Sequence, residues 1–417
     1  MWIGVDFGTY KTCISHWYDG NYHIICDDFD RYIINNIKIT DGNLVMSKYR
    51  TNSTIHSIKR TIGLNSQICE KDVQDKLMMF LLNNIVNIAE KQLRDKITGF
   101  VMVIPDHYGQ YQRKLLVEYG KKIGVNIRLI HDSTAAALSF QNKFPISDHK
   151  KILIYNLGAG NVTVSIATIS AGSVMVEETI SDNIGADDCD YLLAKYLAEK
   201  HDIKGIKEHN YLITECKRVK HVLSGSSTAV VELSLEGNTE VITRDIFEMI
   251  CQSTLIKLLE PAKTLLSKHN VDKVVMIGGG SRINYIKRTI TSPDKLCQSL
   301  NPEEAVAIGA SIHAGILNGD STVPDNMYPF QIISNNITLI NGSDQSDKVV
   351  LFRAGCGVPH KTSRQICIKS SPVIRINEGI TSNPIISDIY KLSTCSEKEV
   401  NIDVTIDING IIGITMC

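Results

Sequence analysis

The 417-residue chain has no excess of either charge: 44 Lys and Arg stand against 45 Asp and Glu. No overall field steers it toward nucleic acid or an anionic membrane, so any partner has to be argued from local sites. A Cys-x-x-Cys pair is also lacking. The 11 cysteines are odd in number and scattered from Cys13 to Cys417, which fits neither a disulfide framework nor a zinc site and predicts reduced thiols. The opening Met-Trp-Ile-Gly-Val-Asp has no basic or long apolar region, and no run elsewhere approaches the roughly 18 apolar residues of a membrane span. These absences predict a cytosolic or nuclear protein, with the cytoplasm as the expected compartment. They also predict no direct nucleic-acid or membrane partner, and no glycan at Asn52 or Asn161. The length suits two or three domains of roughly 100 to 200 residues each.

What is present is a repeat. "WIGVDFGTYKTCISHWYDGNYHIICDD" and "ILIYNLGAGNVTVSIATISAGSVMVEETISD" share one plan of apolar strand, polar residue, Gly-containing turn, alternating strand, Gly turn and third strand. Asp6 of the first copy falls on Asn156 of the second, and Gly8 on Gly158. Helices and strands alternate after each copy: Leu77, Leu81, Ile85, Ile88 and Leu93 at helical spacing, then the strand "GFVMVIP", a helix stopping at Gly124, the strand "VNIRLI", and a helix opening with an Asp-Ser-Thr cap at Asp132. Helices are expected near 187–201, 208–224 and 244–267, with a hairpin "TAVVELSLEGNTEVIT" among them. The strand–glycines–helix "KVVMIGGGSRINYIKRTI" has the form that aims backbone N–H groups at an anion or a ribose. The fold class is α/β, duplicated, over residues 1–317. The polar, Gly- and Pro-bearing stretch 318–327 reads as a linker, and 328–417, with short alternating runs and no amphipathic helix, as a small β domain.

One Gly turn after a strand is weak evidence of a phosphate site, but two facing copies can clamp a nucleotide tail. Backbone N–H groups of Gly8, Thr9, Tyr10 and Lys11 would face those of Gly158, Ala159, Gly160 and Asn161, with Asp6 toward a hydrated Mg²⁺. The chain resembles the actin-type ATPase superfamily and, within it, the Hsp70 family. "GVDFGT" resembles the first phosphate loop, "IKRTIG" the lysine-bearing segment, "VIPDHYGQYQR" and "LIHDSTAAALSF" the central strand and interdomain helix. "NLGAGNVTVS" is similar to the second phosphate loop, "CKRVKHVLS" and "IGGGSRI" to the adenosine site, and "NPEEAVAIGASI" to the closing helix. The resemblance implies a duplicated actin/Hsp70-type ATPase domain, two lobes around a nucleotide cleft that holds ATP and Mg²⁺, followed by a small β-sandwich domain. It implies that Lys59 orients the attacking water, that Asp6 is the magnesium-side carboxylate acting through water, and that Asp132 stands where the family has a glutamate. Lys217, Lys220, His221, Ser224, Gly278, Gly279, Gly280, Arg282 and Glu303 fall in the nucleoside-binding segments.

The departures from the family pattern matter as much. Asn156 replaces the second carboxylate, Thr163 another Asp of that loop, and Ser133 the proline of the conformational switch, whose arginine partner is matched by Arg113. Lys217 replaces a glutamate, His221 an arginine, and Tyr10 the second threonine of the first loop. An amide cannot accept a proton or add negative charge beside a metal, and loss of a general base typically costs about 10²–10⁴ in rate. The expectation is therefore that nucleotide is held while hydrolysis is weak or absent. "LFRAGCGVPHKTSRQICI" and "VTIDINGIIGITMC" resemble the family's peptide-binding β domain, after which the expected helical lid does not follow, and 318–327 lacks the leucine run that docks on the ATPase domain. The combination resembles the atypical Hsp70 of the eukaryotic ribosome-associated complex. It implies a zuotin-type J-domain protein as partner, the ribosome as an indirect one, and a nascent peptide as a further contact. An active ATP-hydrolysing chaperone, with Asp6, Lys59 and Asp132 sufficient for chemistry, stays open beside it. A sugar kinase or filament-forming relative on the same fold is disfavoured by the β tail and by "HDSTAAA".

Overall fold

The computed structural model describes residues 1–417 except 29, 49–53, 56, 63–70, 107, 235–236, 298, 334–335, 342–347, 369–372, 379–384, 392–397 and 417. The Asn52 triplet and part of the tail's first strand motif ("NNITLI", at Asn335) lie outside the described residues.

The repeat in the sequence is a repeat in the fold. In the first lobe the strands Trp2–Phe7, Lys11–Tyr18 and Asn21–Ile25 form an antiparallel meander, and Gly99–Ile104 and Asn126–His131 add to its other edge in parallel. In the second lobe Lys150–Leu157, Val162–Ser170 and Ser173–Asp182 repeat the meander, and Lys273–Ile277 and Leu296–Cys297 repeat the parallel additions. Even the hairpin register is the same, since Asp6 stands opposite Cys13 and Asn156 opposite Thr163. Near-continuous Ile, Val and Leu in Gly99–Ile104 and Lys150–Leu157 fit strands covered on both faces.

Each lobe has its own apolar core, and a third core lies between them. This central one is built on the helices Asp132–Lys143 and Ala305–Asn318, with Trp17, Ile130, Ile152, Val275 and Ile277 from the sheets. The two helices cross very closely: a Cβ at Gly309 would lie 1.7 Å from the Ala135 carbonyl oxygen, so only glycine fits there. Among the described residues no helix is long and apolar enough to cross a membrane.

Three sequence expectations differ from what is observed. The helix expected over 244–267 is two helices, Arg244–Ile250 and Gln252–Lys268, broken at Cys251, whose buried thiol donates to the Cys189 carbonyl at 3.6 Å. Asp132 does not cap its helix from outside. It is the first helical residue, after His131, and its carboxyl turns back toward Asn156. The stretch 318–327 is no free tether, because Val323 and Met327 are buried in the central core and Thr322 accepts from the Trp17 indole at 3.1 Å and from the Gly20 N–H at 2.9 Å. Immediately after it, Pro329–Phe330 pairs in parallel with Val174–Met175 on the edge of the second lobe's sheet. Backbone pairing needs no leucine, which is why the missing leucine run did not reveal this docking.

The tail forms two sheets, one ordered Lys348–Phe352, Ile337–Asn341, Val373–Glu378, Ile385–Lys391 and the other His360–Ile368, Lys398–Ile406, Ile412–Met416. Ile333, Ile337, Leu339, Phe352, Ile402, Val404 and Ile412 form a common core between them. The turn after Ile406 rests on the first lobe. Gln110 donates its side-chain N–H to the Gly410 carbonyl at 2.6 Å and accepts from the Ile412 N–H at 2.7 Å, while Asn409 accepts from the Leu129 N–H at 2.9 Å and donates to the Ile127 carbonyl at 3.3 Å.

Candidate functional site

The two hairpin turns meet across a cleft between the lobes. Each closes with the same bond, Gly8 N–H to the Lys11 carbonyl and Gly158 N–H to the Asn161 carbonyl, both at 3.0 Å. Their outward carbonyls are already satisfied: Asn35 Nδ2 donates to Gly8 O at 2.7 Å, and Ala186 N–H to Gly158 O at 3.0 Å. With the carbonyls so occupied, the turns' free capacity is for acceptors, which is what an anion supplies. A Cβ on Gly8 would lie 2.4 Å from Lys11 O, and one on Gly278, where φ is +78°, would lie 2.3 Å from Leu157 O. These cradles therefore require glycine, and they fit the phosphates and ribose of a nucleotide.

The cleft brings together almost every residue singled out in the sequence. Asp6, Gly8, Thr9 and Tyr10 line it from the first lobe with Lys59; Asn156, Gly158, Ala159 and Asn161 line it from the second; Lys217, Lys220, His221, Ser224, Gly278, Gly279, Gly280, Arg282 and Glu303 complete the far end, and Asp132 sits at the floor. The exception is Gly160, which is buried in its turn and is not among the lining residues. Lys11, expected there through its backbone N–H, lines the cleft as well, and Asp187, Pro105 and Pro302 line it without having been singled out as binding residues. Asp187 reaches the cleft because Gly185 packs against the second turn, with Asp187 N–H donating to Ala159 O at 2.9 Å.

At the floor, Asn156 Nδ2 donates to Asp132 Oδ2 at 2.7 Å, and Ser133 N–H donates to Asp132 Oδ1 at 2.8 Å. Burial, then the charge and hydrogen bond of Asp106, hold the Asp132 carboxyl well above the usual carboxylate range, outweighing Lys59 and Asn156. Burial also raises Asp6, against Lys59 and Lys11, and lowers the Lys59 ammonium, against Asp6 and Asp132. The Tyr108 hydroxyl donates to the Lys59 carbonyl at 3.0 Å and pins that lysine's short helix, Ile58–Thr61. Among the described residues no group of three His, Cys, Asp or Glu is arranged to hold a metal. A Mg²⁺ would thus depend on Asp6 and on a phosphate ligand, as is usual for that ion.

At the far end, Lys220 is buried and donates to Asp190 at 2.7 Å and to the Ala186 carbonyl at 2.8 Å. Glu303 receives Lys11 at 2.5 Å and Arg282 at 3.3 Å; burial pushes its carboxyl up, but these partners leave it below its ordinary value. Burial, reinforced by the Lys220 charge, lowers the His221 imidazole. Two departures seen separately in the sequence meet here. The Lys217 ammonium lies 3.5 Å from the centre of the Tyr10 ring and 3.6 Å from Asp187, joining the lobes across the cleft.

A family model described as "Hsp70 protein" matches residues 70–329. The chain is 26% identical over 500 residues to "Heat shock protein 70 homolog" of Acanthamoeba polyphaga mimivirus, a match covering 99% of this chain and 53% of that protein. It is 27% identical over 383 residues to "Heat shock cognate 70 kDa protein 3" of Dictyostelium discoideum, covering 77% and 61% of the two chains. Against "Heat shock 70 kDa protein" of Neurospora crassa the identity is 27% over 384 residues, covering 77% and 59%. The chain thus spans between about half and three fifths of the length of the curated relatives it matches.

Proposed function

The chain belongs to the Hsp70 family, and on that premise we propose that it is an ATP-binding co-chaperone subunit with weak or absent hydrolysis, scaffolding a zuotin-type J-domain protein at the ribosome for nascent-chain folding. The observation that carries the nucleotide half of this reading is Asn156. Its amide nitrogen is committed to Asp132 at 2.7 Å, on a strand whose twin in the first lobe has Asp6 at the same register. Neither an amide nor the high-lying Asp132 carboxyl is an effective proton acceptor for water near neutral pH. The glycine cradles around them are intact, so binding does not depend on the missing charge.

ATP would lie with its phosphates between the turns of Gly8–Lys11 and Gly158–Asn161 and its nucleoside toward Lys220, Ser224 and Arg282, with Mg²⁺ reached from Asp6 through water. Bound Mg²⁺ would supply charge neutralisation on the phosphates. The protein's own residues hold, exclude water and close: Lys11 with Glu303, and Lys217 over Tyr10, tie the cleft's walls together. The partner half of the reading is supported by the sequence resemblance to the ribosome-associated Hsp70. It is tested by affinity capture with a zuotin-type J-protein; failure to recover a stable pair refutes it.

An active chaperone ATPase is favoured by one observation, the convergence of Asp6, Lys59 and Asp132 on one cleft, because phosphoryl transfer relies largely on positioning and electrostatics. Asn156→Asp separates the two. The scaffold reading expects purified wild type to carry ATP rather than ADP, and the variant to hydrolyse it about tenfold or more faster. Steady wild-type turnover stimulated by a J-domain, with no gain in the variant, would establish the active enzyme instead.

A further inference from the structure

A second carboxyl lies behind Asp132. Asp106 follows Pro105, which lines the cleft, and is only 2% exposed. Its partners all come from three consecutive residues at the junction of the strand Asn126–His131 with the helix Asp132–Lys143. Ser133 donates its hydroxyl to both carboxylate oxygens, at 3.2 and 3.1 Å; His131 Nδ1 is 2.9 Å away; and the Asp132 carboxyl shares a hydrogen bond with it. Two carboxyls in hydrogen-bond contact away from water cannot both be ionised and hold one proton between them. The neighbours of the two carboxyls differ. Asp106 has the His131 imidazole and the Ser133 hydroxyl as partners, whereas Asp132 lines the cleft with the Ser133 N–H and the Asn156 amide as its close donors and Lys59 as a charged neighbour.

We propose that Asp106 is a positioning residue that holds Asp132 as a hydrogen-bond donor toward Asp106 instead of a free carboxylate toward the nucleotide cleft. The floor of the cleft is then a neutral acid beside a neutral amide, and neither withdraws a proton from water. The direction of the titrations agrees. Burial raises Asp106, but the His131 charge and the hydrogen bonds of His131, Asp132 and Ser133 bring it below its ordinary value, while Asp132 lies well above its own. The loss of a carboxylate at Asn156 is thus one of two safeguards, the other being the masking of the acid that remains. This rests on the nucleotide-site reading above.

Asp106→Asn keeps the size and offers Asp132 an amide N–H donor in place of the carboxylate charge that retains its proton. Single-turnover ATP hydrolysis is expected to rise about tenfold or more, the effect of supplying a general base, with the ATP dissociation constant within about twofold of wild type. An unchanged or slower rate in a variant that still binds ATP overturns the proposal. The infrared carboxylic-acid C=O band of the wild-type protein at neutral pH, lost in Asp132→Asn, is the companion measurement. A wild-type spectrum with no such Asp132-dependent band refutes the proposal without reference to nucleotide or to the folding of the Asp106 variant. Absence of ATP binding by the wild type, with the band present, would defeat the nucleotide reading and leave the carboxyl pair standing.

Discussion

Tyr10 and Lys217 come from opposite walls of the cleft, one from the first turn and the other from the helix Ile206–Gly225, and the cation over the ring joins them. Such a contact contributes about 0.5–1 kcal/mol where exposed and more where desolvated, and the Lys217 side chain is 21% exposed, so about 1 kcal/mol is reasonable. Since the contact spans the cleft, a nucleotide held as proposed would leave past it. Tyr10→Thr is expected to speed dissociation of a fluorescent ATP analogue about fivefold, the equivalent of 1 kcal/mol, with association little altered. An unaltered release rate would mean that the pair does not gate the cleft. Each residue was legible in the sequence as a departure from a pattern, but their contact was not, because spacing within a segment says nothing about which distant side chain faces it. Asp106 was less legible still. It lies inside a quoted motif, yet a lone Asp after Pro reads as a turn residue, and only the fold brings it against His131 and Ser133.

Among the elements, the helix Ala305–Asn318 carries the central core and buries His313, whose Nδ1 has no hydrogen-bond partner. Burial, with the charge of Arg128 second, lowers this imidazole from its ordinary 6.5 to about 3. Below about pH 6.5 the unfolded chain takes up a proton here that the folded chain refuses until about pH 3. The stabilisation is complete above that upper value and is lost as the pH falls through the window, by about 1.4 kcal/mol per unit. His313→Leu should therefore flatten the decline of the urea midpoint between about pH 6.5 and pH 4. A decline as steep as in wild type would assign acid sensitivity to other groups. Elements of this kind were largely legible, because the helical and alternating periods are local properties of the chain. The break at Cys251 and the packing of 318–327 were not, since one falls at a residue whose thiol meets a distant carbonyl and the other rests on two buried apolar residues in a polar stretch.

For the molecule as a whole, the duplicated plan was readable because matched turns survive divergence, whereas the seat of the β domain on the first lobe was not, because the turn from Asp407 to Ile411 reads as an ordinary hairpin. Gln110 is the centre of that seat, fully buried and bonded to both Gly410 and Ile412. Gln110→Ala leaves the Ile412 N–H without its acceptor, a loss of about 1–3 kcal/mol. Hydrogen exchange at Ile412 is expected to accelerate about tenfold, with exchange in the strand Lys150–Leu157 unchanged; equal protection in both proteins would show the seat to be held elsewhere. The passage into the β domain has a mechanical consequence. Phe330 is paired with the second lobe at Met175, and the adjacent Gln331 donates to Leu129 of the first lobe at 3.2 Å. Neighbouring Cα atoms are about 3.8 Å apart, so at this point the two halves share a fulcrum. The two halves cannot slide apart there without stripping one of the two grips.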